Sequence, residues 1–165
     1  MSYTIWMTGL SGAGKSTIAE AYAKRHDVVL LDGDVLRKGL CSDLGFSVED
    51  RIENMRRLRA LCKLFNDNGK DVITAFISPI EAERVKAKEE IPNCKIVYCN
   101  ATLAKCELRD VKGLYKKARA GEIPNFTGID SPFEPPECAD LKLYTECKSV
   151  KECLADLEAF IQLEV

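Results

Sequence analysis

The chain has 165 residues, 46% of them hydrophobic, which suits one α/β core and is too short for two ordinary domains. Its net charge is −2 with acidic and basic residues interspersed, which disfavours nucleic acid or an anionic membrane as a partner. No apolar run approaches the roughly 18 residues of a membrane helix, and the first residues do not resemble a secretory signal. We expect one cytoplasmic domain, residues 1–165, acting on a small molecule.

The eight cysteines raise the question of disulfides or a zinc site. No pair has C-x-x-C spacing, and the only histidine is His26. The cysteines are spread over strand-like, helix-like and loop-like stretches, at positions 41, 62, 94, 99, 106, 138, 147 and 153. We expect reduced thiols that act as small hydrophobic side chains.

The first predicted elements are an apolar strand, a glycine-rich turn and a helix that ends near Arg25. The turn matches the phosphate-loop pattern G-x-x-x-x-G-K-[ST] at every position. Its glycines let the backbone curl around a phosphate, its lysine places charge on the outer phosphates, and its serine hydroxyl can reach Mg²⁺. The predicted ligand is a nucleoside triphosphate with Mg²⁺. Its predicted binding residues are Gly9, Leu10, Ser11, Gly12, Ala13, Gly14, Lys15, Ser16 and Thr17.

The second strand is an all-apolar run, Val28 to Leu31, of the kind found in parallel sheets covered on both faces. Asp32 and Asp34 follow at its carboxyl end, where open α/β sheets place their ligands. Ser47 with Asp50 resembles an acidic capping box and predicts the start of a long amphipathic helix.

The remaining chain predicts three further strands and a closing helix. The strands are Asp71 to Ile77, Lys95 to Cys99 and Leu141 to Tyr144, and the helix runs from Val150 to Leu163. Between the last two strands lies a basic and then proline-rich segment, about 112–136. A stretch of this length is either disordered or a functional lid, and its lysines and Phe126 favour a lid.

A phosphate loop alone does not separate kinases from other nucleotide-binding proteins. The chain has no guanine-reading N-K-x-D stretch. A short core, an acceptor pocket near the second strand and a basic lid are typical of small-molecule kinases, in which the lid keeps water from the γ-phosphoryl group. The predicted fold is a P-loop kinase-type three-layer α/β/α architecture with a mostly parallel sheet and a mobile lid.

The chain resembles the adenylylsulfate kinase family, whose members use ATP to phosphorylate the 3′-hydroxyl of adenosine 5′-phosphosulfate (APS). The likeness runs almost end to end and is most specific between residues 109 and 128. The matching stretches are the phosphate loop, Asp32-Gly33-Asp34 with Arg37, Asp43 to Ser47 with Asp50, Arg51 and Asn54, Phe76 to Pro79, Arg109 to Arg119, Asn125 to Ile129 and Pro132 to Pro136.

The resemblance implies that two phenylalanines stack on the acceptor's adenine and that two arginines and an asparagine hold its ribose and phosphosulfate. It also places Arg109 at the ATP site. The implied acceptor-binding residues are Asp34, Arg37, Phe46, Arg51, Asn54, Ile77, Ser78, Lys112, Gly113, Leu114 and Phe126.

The implied mechanism is direct in-line transfer with ATP and Mg²⁺, catalysed by positioning and charge neutralisation. Lys15 neutralises phosphate charge, Asp34 orients or deprotonates the 3′-hydroxyl, and Asp32 with Ser16 holds the metal, although the two aspartates could exchange roles. Ser78 is the position discussed in the family as a phosphoserine intermediate. The family also implies a homodimer.

Two positions depart from the family pattern: Val35 stands where asparagine is usual, and Ile80 where an aromatic residue is usual. A changed base pocket leaves open a second acceptor, such as the 3′-hydroxyl of cytidine diphosphoramidate. A third hypothesis is a nucleotide-binding module without catalytic activity.

Overall fold

The computed structural model describes all 165 residues, Met1–Val165, and contains a five-stranded sheet whose strands all run parallel. The spatial order is β2-β3-β1-β4-β5. The strands are β1 (Thr4–Thr8), β2 (Val28–Asp32), β3 (Asp71–Ala75), β4 (Cys94–Cys99) and β5 (Leu141–Leu143). Because β1 lies in the centre and all strands point the same way, their carboxyl ends form one edge.

Helices cover both faces of the sheet, as the alternation of apolar strands with helical segments predicts. The helices are α1 (Lys15–Ala23), α2 (Gly33–Leu36), α3 (Val48–Asp67), α4 (Glu81–Glu90), α5 (Leu103–Arg109), α6 (Leu114–Arg119) and α7 (Val150–Glu164). Successive side chains of β1 enter different cores: Ile5 packs with residues of α1 and α7, and Trp6 with residues of α3 and α4. The predicted three-layer α/β/α fold is confirmed.

The ends of two predicted elements differ from expectation. β3 stops at Ala75, two residues early, and the chain then turns through Ser78, whose φ is 47°. Ser47 caps α3 by accepting a hydrogen bond from the Asp50 amide at 3.1 Å, but the Asp50 carboxylate accepts from the Gly45 amide instead of returning to Ser47. The predicted capping box is therefore only half formed, and Asp50 fixes the preceding loop.

Most of the cysteines are buried, and none forms a disulfide bridge. All eight are free thiols and six are buried. Burial raises the pKa of Cys94 and of Cys99 to about 12, so both remain protonated at neutral pH.

None of the helices has both the length and the apolar character needed to cross a bilayer.

The packing of α7 on the sheet gives a stability test. Leu157 is fully buried, whereas Leu163 on the same helix is 86% exposed. We expect Leu157→Ala to lower the free energy of unfolding by about 3 kcal/mol, because it removes buried methyl groups and leaves a cavity. Leu163→Ala is the control, with an expected change within about 0.5 kcal/mol. Urea unfolding measures both, and equal losses would contradict this packing of α7.

Candidate active site

A cavity of about 800 Å³ opens at the carboxyl edge of the sheet. Its walls are formed by the phosphate loop, the segment after β2, the first turns of α3, the segment after β3, the region of residues 109–127 and the start of α7. Parallel strands bring these sequence-distant segments to one edge, which is where open α/β sheets bind their ligands.

The phosphate loop requires glycine at its first position because the backbone approaches β4 closely. Gly9 has φ 152°, and a Cβ placed there would lie 2.7 Å from the Cys99 carbonyl oxygen. Gly14 has φ 98° and forms the N-cap of α1. The loop therefore leads directly into a helix N-terminus, whose unpaired N–H groups and partial positive charge suit a phosphate.

Lys15 is a buried cation at the centre of this loop, with only 7% of its surface exposed. Its Nζ donates to the carbonyl oxygens of Gly9 at 2.8 Å and Leu10 at 2.7 Å. Burial lowers the pKa of Lys15 to about 8, because the charged amine loses its hydration. The charge is held inside the loop by main-chain oxygens.

Ser16 and Asp32 form a pair of oxygen donors beside the loop. The Ser16 hydroxyl donates to Asp32 Oδ2 at 2.7 Å, and Asp32 Oδ1 accepts from the Asp34 amide at 2.8 Å. Nowhere do three or more His, Cys, Asp or Glu side chains gather as a metal site. A hydroxyl and a carboxylate fit Mg²⁺, which commonly takes one or two protein oxygens together with substrate phosphates and water.

Arg109, at the end of α5, ties the phosphate loop to the end of β5. Its guanidinium donates to the carbonyl oxygens of Gly12 at 3.0 Å and Thr145 at 2.5 Å. The Tyr115 hydroxyl of α6 donates to the Ser11 carbonyl at 2.7 Å. The base of the predicted lid is therefore bonded to the loop.

The opposite end of the cavity contains Phe46, which is 47% exposed. The Arg37 guanidinium carbon lies 4.2 Å from the centroid of its ring. Arg51 Nε donates to the Phe46 carbonyl at 3.1 Å, and Arg51 Nη2 donates to the Asn125 carbonyl at 2.7 Å. Arg51 thus joins the loop before α3 to the lid region, 74 residues away along the chain.

Asn54 and Phe126 complete this end. Asn54 is 2% exposed, and both polar atoms of its side chain lack a hydrogen-bond partner although the residue lines the cavity. Such a buried amide costs free energy unless a ligand or water pairs with it. Phe126 is 9% exposed and packs edge-on against Tyr115, with ring centroids 5.0 Å apart.

Asp34 lies between the two ends of the cavity. Its Oδ2 accepts from Lys112 Nζ, so the predicted catalytic carboxylate is paired with the predicted lid. Both side chains are about half exposed or more, at 62% for Asp34 and 49% for Lys112. Solvent-exposed pairs of this kind contribute little stability, so the lysine can exchange partners readily.

The surroundings of Ser78 do not suit a nucleophile. It is 1% exposed, and its Oγ accepts a hydrogen bond from Trp6 Nε1 at 3.0 Å. An indole N–H is only a donor and cannot take a proton from the hydroxyl. The predicted catalytic role of Ser78 is not favoured by this geometry, which indicates a structural part of the cavity wall.

Most of the predicted site residues meet in this one cavity. Its lining includes Ser11, Gly12, Gly14, Lys15, Ser16, Thr17, Asp32, Asp34, Arg37, Phe46, Arg51, Asn54, Ile77, Ser78, Arg109, Lys112, Leu114 and Phe126. Four predicted residues lie outside the lining: Gly9, Leu10, Ala13 and Gly113. The first three build the back of the phosphate loop, and Gly113 forms the N-cap of α6 with φ 67°.

Thr145 also lines the cavity, and the sequence reasoning above did not single it out. Its Oγ1 is buried without a partner, and its side chain lies beside Gly14. Thr145 follows β5 by two residues, so the rule that ligands bind at the carboxyl ends of strands was a usable signal.

The family model described as adenylylsulphate kinase matches residues 1–144. An adenylyl-sulfate kinase from Acaryochloris marina is 50% identical, over 98% of this chain and 82% of its own length. One from Vibrio cholerae is 55% identical, over 92% of this chain and 74% of its own length. The chain belongs to the adenylylsulfate kinase family.

Solved structures agree with this family membership. The Mycobacterium tuberculosis APS kinase, solved in complex with AMPPNP and APS, is 43% identical, with a TM-score of 0.92 over 98% of each chain. A gluconokinase from Sinorhizobium meliloti, 16% identical with a TM-score of 0.68 over 98% of this chain and 93% of its own, shares the fold alone. The two departures from the family pattern, Val35 and Ile80, both lie outside the cavity lining.

The close approach at the phosphate loop predicts a strong effect of a single methyl group. Gly9→Ala should lower the free energy of unfolding by more than about 2 kcal/mol, because the Cys99 carbonyl is main chain and cannot rotate away. Gly39→Ala is the matched control, since a Cβ there meets nothing within 4 Å. Thermal and urea unfolding measure both variants. A fully stable Gly9→Ala protein would contradict the described loop geometry.

Proposed function

We propose that this chain transfers the γ-phosphoryl group of ATP to the 3′-hydroxyl of APS, giving 3′-phosphoadenosine 5′-phosphosulfate. The observation that carries this proposal is the set of residues that lines the cavity at the carboxyl edge of the sheet. One end holds the phosphate loop with Lys15, and the other holds an exposed aromatic ring among two arginines and an unpaired amide. Family membership at 50–55% identity to adenylyl-sulfate kinases supports the same reaction.

At the ATP end, Lys15 and the N-terminus of α1 would neutralise charge on the transferring phosphoryl group. Ser16 and Asp32 would hold Mg²⁺, which supplies further charge neutralisation when bound. Arg109, bonded to Gly12 and Thr145, would form one wall of the nucleotide site. The catalytic gain comes from fixed charges that need no reorganisation during the reaction.

At the acceptor end, Phe46 and Phe126 would bind the adenine, while Arg37, Arg51 and Asn54 would bind the ribose and phosphosulfate. Asn54 suits this role because its amide is buried, faces the cavity and has no partner within the chain. Asp34 would orient the 3′-hydroxyl and accept its proton. Lys112 would then exchange the Asp34 carboxylate for phosphate oxygens, which the exposed pairing permits.

Ser78 would act as part of the wall in this mechanism. Its Oγ accepts from the Trp6 indole and no side-chain base accepts its proton, so in-line transfer to the 3′-hydroxyl without a phosphoserine is the simpler route. The backbone around Ile77 and the Ser78 side chain would border the acceptor, together with Leu114 and the Gly113 turn.

Three broader features belong to the same proposal. Residues 1–165 would form one kinase domain, with residues 112–136 as a lid that excludes water. The active form would be a homodimer, as the family implies. A cytoplasmic location would suit the eight free thiols, since disulfides mark oxidising compartments.

A coupled assay for ADP release tests the reaction. APS should give acceptor-dependent ADP and the 3′-phosphorylated product, whereas cytidine diphosphoramidate should not exceed the acceptor-free background. Turnover with cytidine diphosphoramidate alone would identify that nucleotide as the acceptor in place of APS. Absence of turnover with either nucleotide would favour a binding module over a kinase.

Phe46 provides a kinetic test of the acceptor end. Phe46→Ala should raise KM for APS about tenfold to a hundredfold, since loss of base stacking costs about 1–3 kcal/mol, and should leave KM for ATP nearly unchanged. Leu64→Ala is the control, because Leu64 is 57% exposed on α3 and lies outside the cavity. A rise in KM for ATP equal to that for APS would contradict the assignment of Phe46 to the acceptor.

The lowered pKa of Lys15 predicts a pH dependence of nucleotide binding. The amine is protonated below about pH 8 and becomes neutral above it, while bound phosphate favours the protonated form. Affinity for Mg²⁺-AMPPNP should therefore fall above about pH 8, by up to about tenfold per pH unit. In Lys15→Arg the side chain stays charged throughout this range, so the affinity for Mg²⁺-AMPPNP should no longer depend on pH. Calorimetry at several pH values measures both proteins, and a flat wild-type profile would contradict the prediction.

A further inference from the structure

A buried arginine outside the cavity joins the wall of the acceptor site to the far end of the lid. Arg84, on α4, is 1% exposed and does not line the cavity. Its Nη1 donates to the Ser78 carbonyl, its Nη2 to the Glu134 carbonyl, and its Nε to Glu81 Oε2 at 2.7 Å. One side chain therefore connects α4, the turn after β3 and the proline-rich part of the lid.

The turn at Ser78 needs such support. Its φ of 47° lies in the left-handed region, which costs free energy for a residue other than glycine. Besides Arg84, Thr8 Oγ1 donates to the Ser78 carbonyl at 3.1 Å, and Trp6 donates to its hydroxyl. Because Ile77 and Ser78 line the cavity, this turn determines where the wall between β3 and α4 stands.

The end of the lid contacts the N-terminal end of α4. The Glu134 amide donates to the Pro79 carbonyl at 2.9 Å, and Glu134 Oε2 accepts from the Glu81 amide at 2.7 Å. The Phe133 ring stacks against Tyr98 with centroids 6.1 Å apart, and the Arg84 guanidinium carbon is 5.8 Å from the Phe133 centroid. The lid region is thus anchored at both ends, by Arg109 near its start and by Arg84 near its end.

A guanidinium is needed for the second anchor. Burial lowers the pKa of Arg84, and the neighbouring Glu81 carboxylate opposes this shift. The two Nη atoms of the planar guanidinium fork each donate to a carbonyl oxygen. A buried charge is tolerated only when its hydrogen bonds are satisfied. A lysine carries the same charge as a single point and cannot reproduce the planar fork.

We propose that Arg84 is a positioning residue for the acceptor: it fixes the wall at Ile77 and Ser78 relative to the lid end at Glu134, without touching the substrate. This inference rests on the proposed function, because it assigns the consequence to APS binding. It predicts a larger defect in APS binding than in ATP binding, because Arg84 donates to no residue of the phosphate loop. The turn that it supports meets that loop through one main-chain hydrogen bond, from the Gly9 amide to the Ile77 carbonyl at 3.3 Å.

The test compares Arg84→Lys with Arg59→Lys. Arg59 is also buried, at 5% exposure, and donates to Glu83 at 2.5 Å and Glu90 at 2.7 Å on α4, but it reaches neither Ser78 nor the lid. Both variants should lose stability. At a temperature where both are folded, Arg84→Lys should raise KM for APS about fivefold or more with KM for ATP nearly unchanged, and Arg59→Lys should change neither. Equal kinetic effects of the two variants would overturn the proposal.

A second readout does not depend on catalysis. Trypsin should cleave the ligand-free Arg84→Lys protein within residues 112–119 faster than wild type or Arg59→Lys, because one lid anchor is weakened. If the wild-type protein showed no APS-dependent turnover, the proposed function would be wrong. The comparison of tryptic cleavage would still test whether Arg84 anchors the lid. Unchanged cleavage would defeat the anchor itself.

A third variant covers failure of Arg84→Lys to fold. Glu134→Ala removes an exposed carboxylate that accepts from the Glu81 amide and leaves Arg84 in place. It should also raise KM for APS and speed tryptic cleavage, to a smaller extent than Arg84→Lys. Wild-type values in both measurements would overturn the proposed coupling of the lid end to the acceptor wall.

Discussion

The parallel alignment of β2, β3 and β1 is the constraint on which the site depends. Because β2, β3 and β1 end at one edge, the sheet delivers Asp32, the turn at Ser78 and the phosphate loop to the same place. The Ser16 to Asp32 hydrogen bond and the bonds from Thr8 to residues 77 and 78 then join these strand ends directly. A shift of one strand would separate the proposed catalytic groups, which no local sequence feature holds together.

Main-chain carbonyl oxygens accept hydrogen bonds from three cations in or near the cavity. Lys15 binds two carbonyls of its own loop, Arg109 binds carbonyls of the loop and of the chain after β5, and Arg84 binds those of Ser78 and Glu134. A carbonyl satisfies a donor without adding a negative charge that would compete with substrate phosphates. The cations therefore fix the backbone around the cavity, and neither Lys15 nor Arg109 is paired with a carboxylate.

The end of the cavity around Phe46 is built differently, from side chains whose positions depend on loops. Arg37 and Arg51 hold the backbone around Phe46 through carbonyl oxygens, and Arg51 also reaches Asn125. These contacts place the exposed Phe46 ring and the buried Phe126 ring in one cavity. Because the rings sit on different loops, the distance between them is set by hydrogen bonds rather than by regular secondary structure.

The sequence by itself determined the order of the five strands, the three-layer fold with a mostly parallel sheet and the phosphate loop, because periodicity and the G-x-x-x-x-G-K-S pattern act locally. It did not predict α6, which lies within the stretch assigned to a lid. Resemblance supplied the proposed acceptor-binding residues, most of which line the cavity. Tertiary structure alone decided that the Ser78 hydroxyl faces Trp6, that Lys112 pairs with Asp34 and that Arg84 bridges Ser78 and Glu134. Each of these contacts joins residues from separate elements, so no local pattern could reveal it.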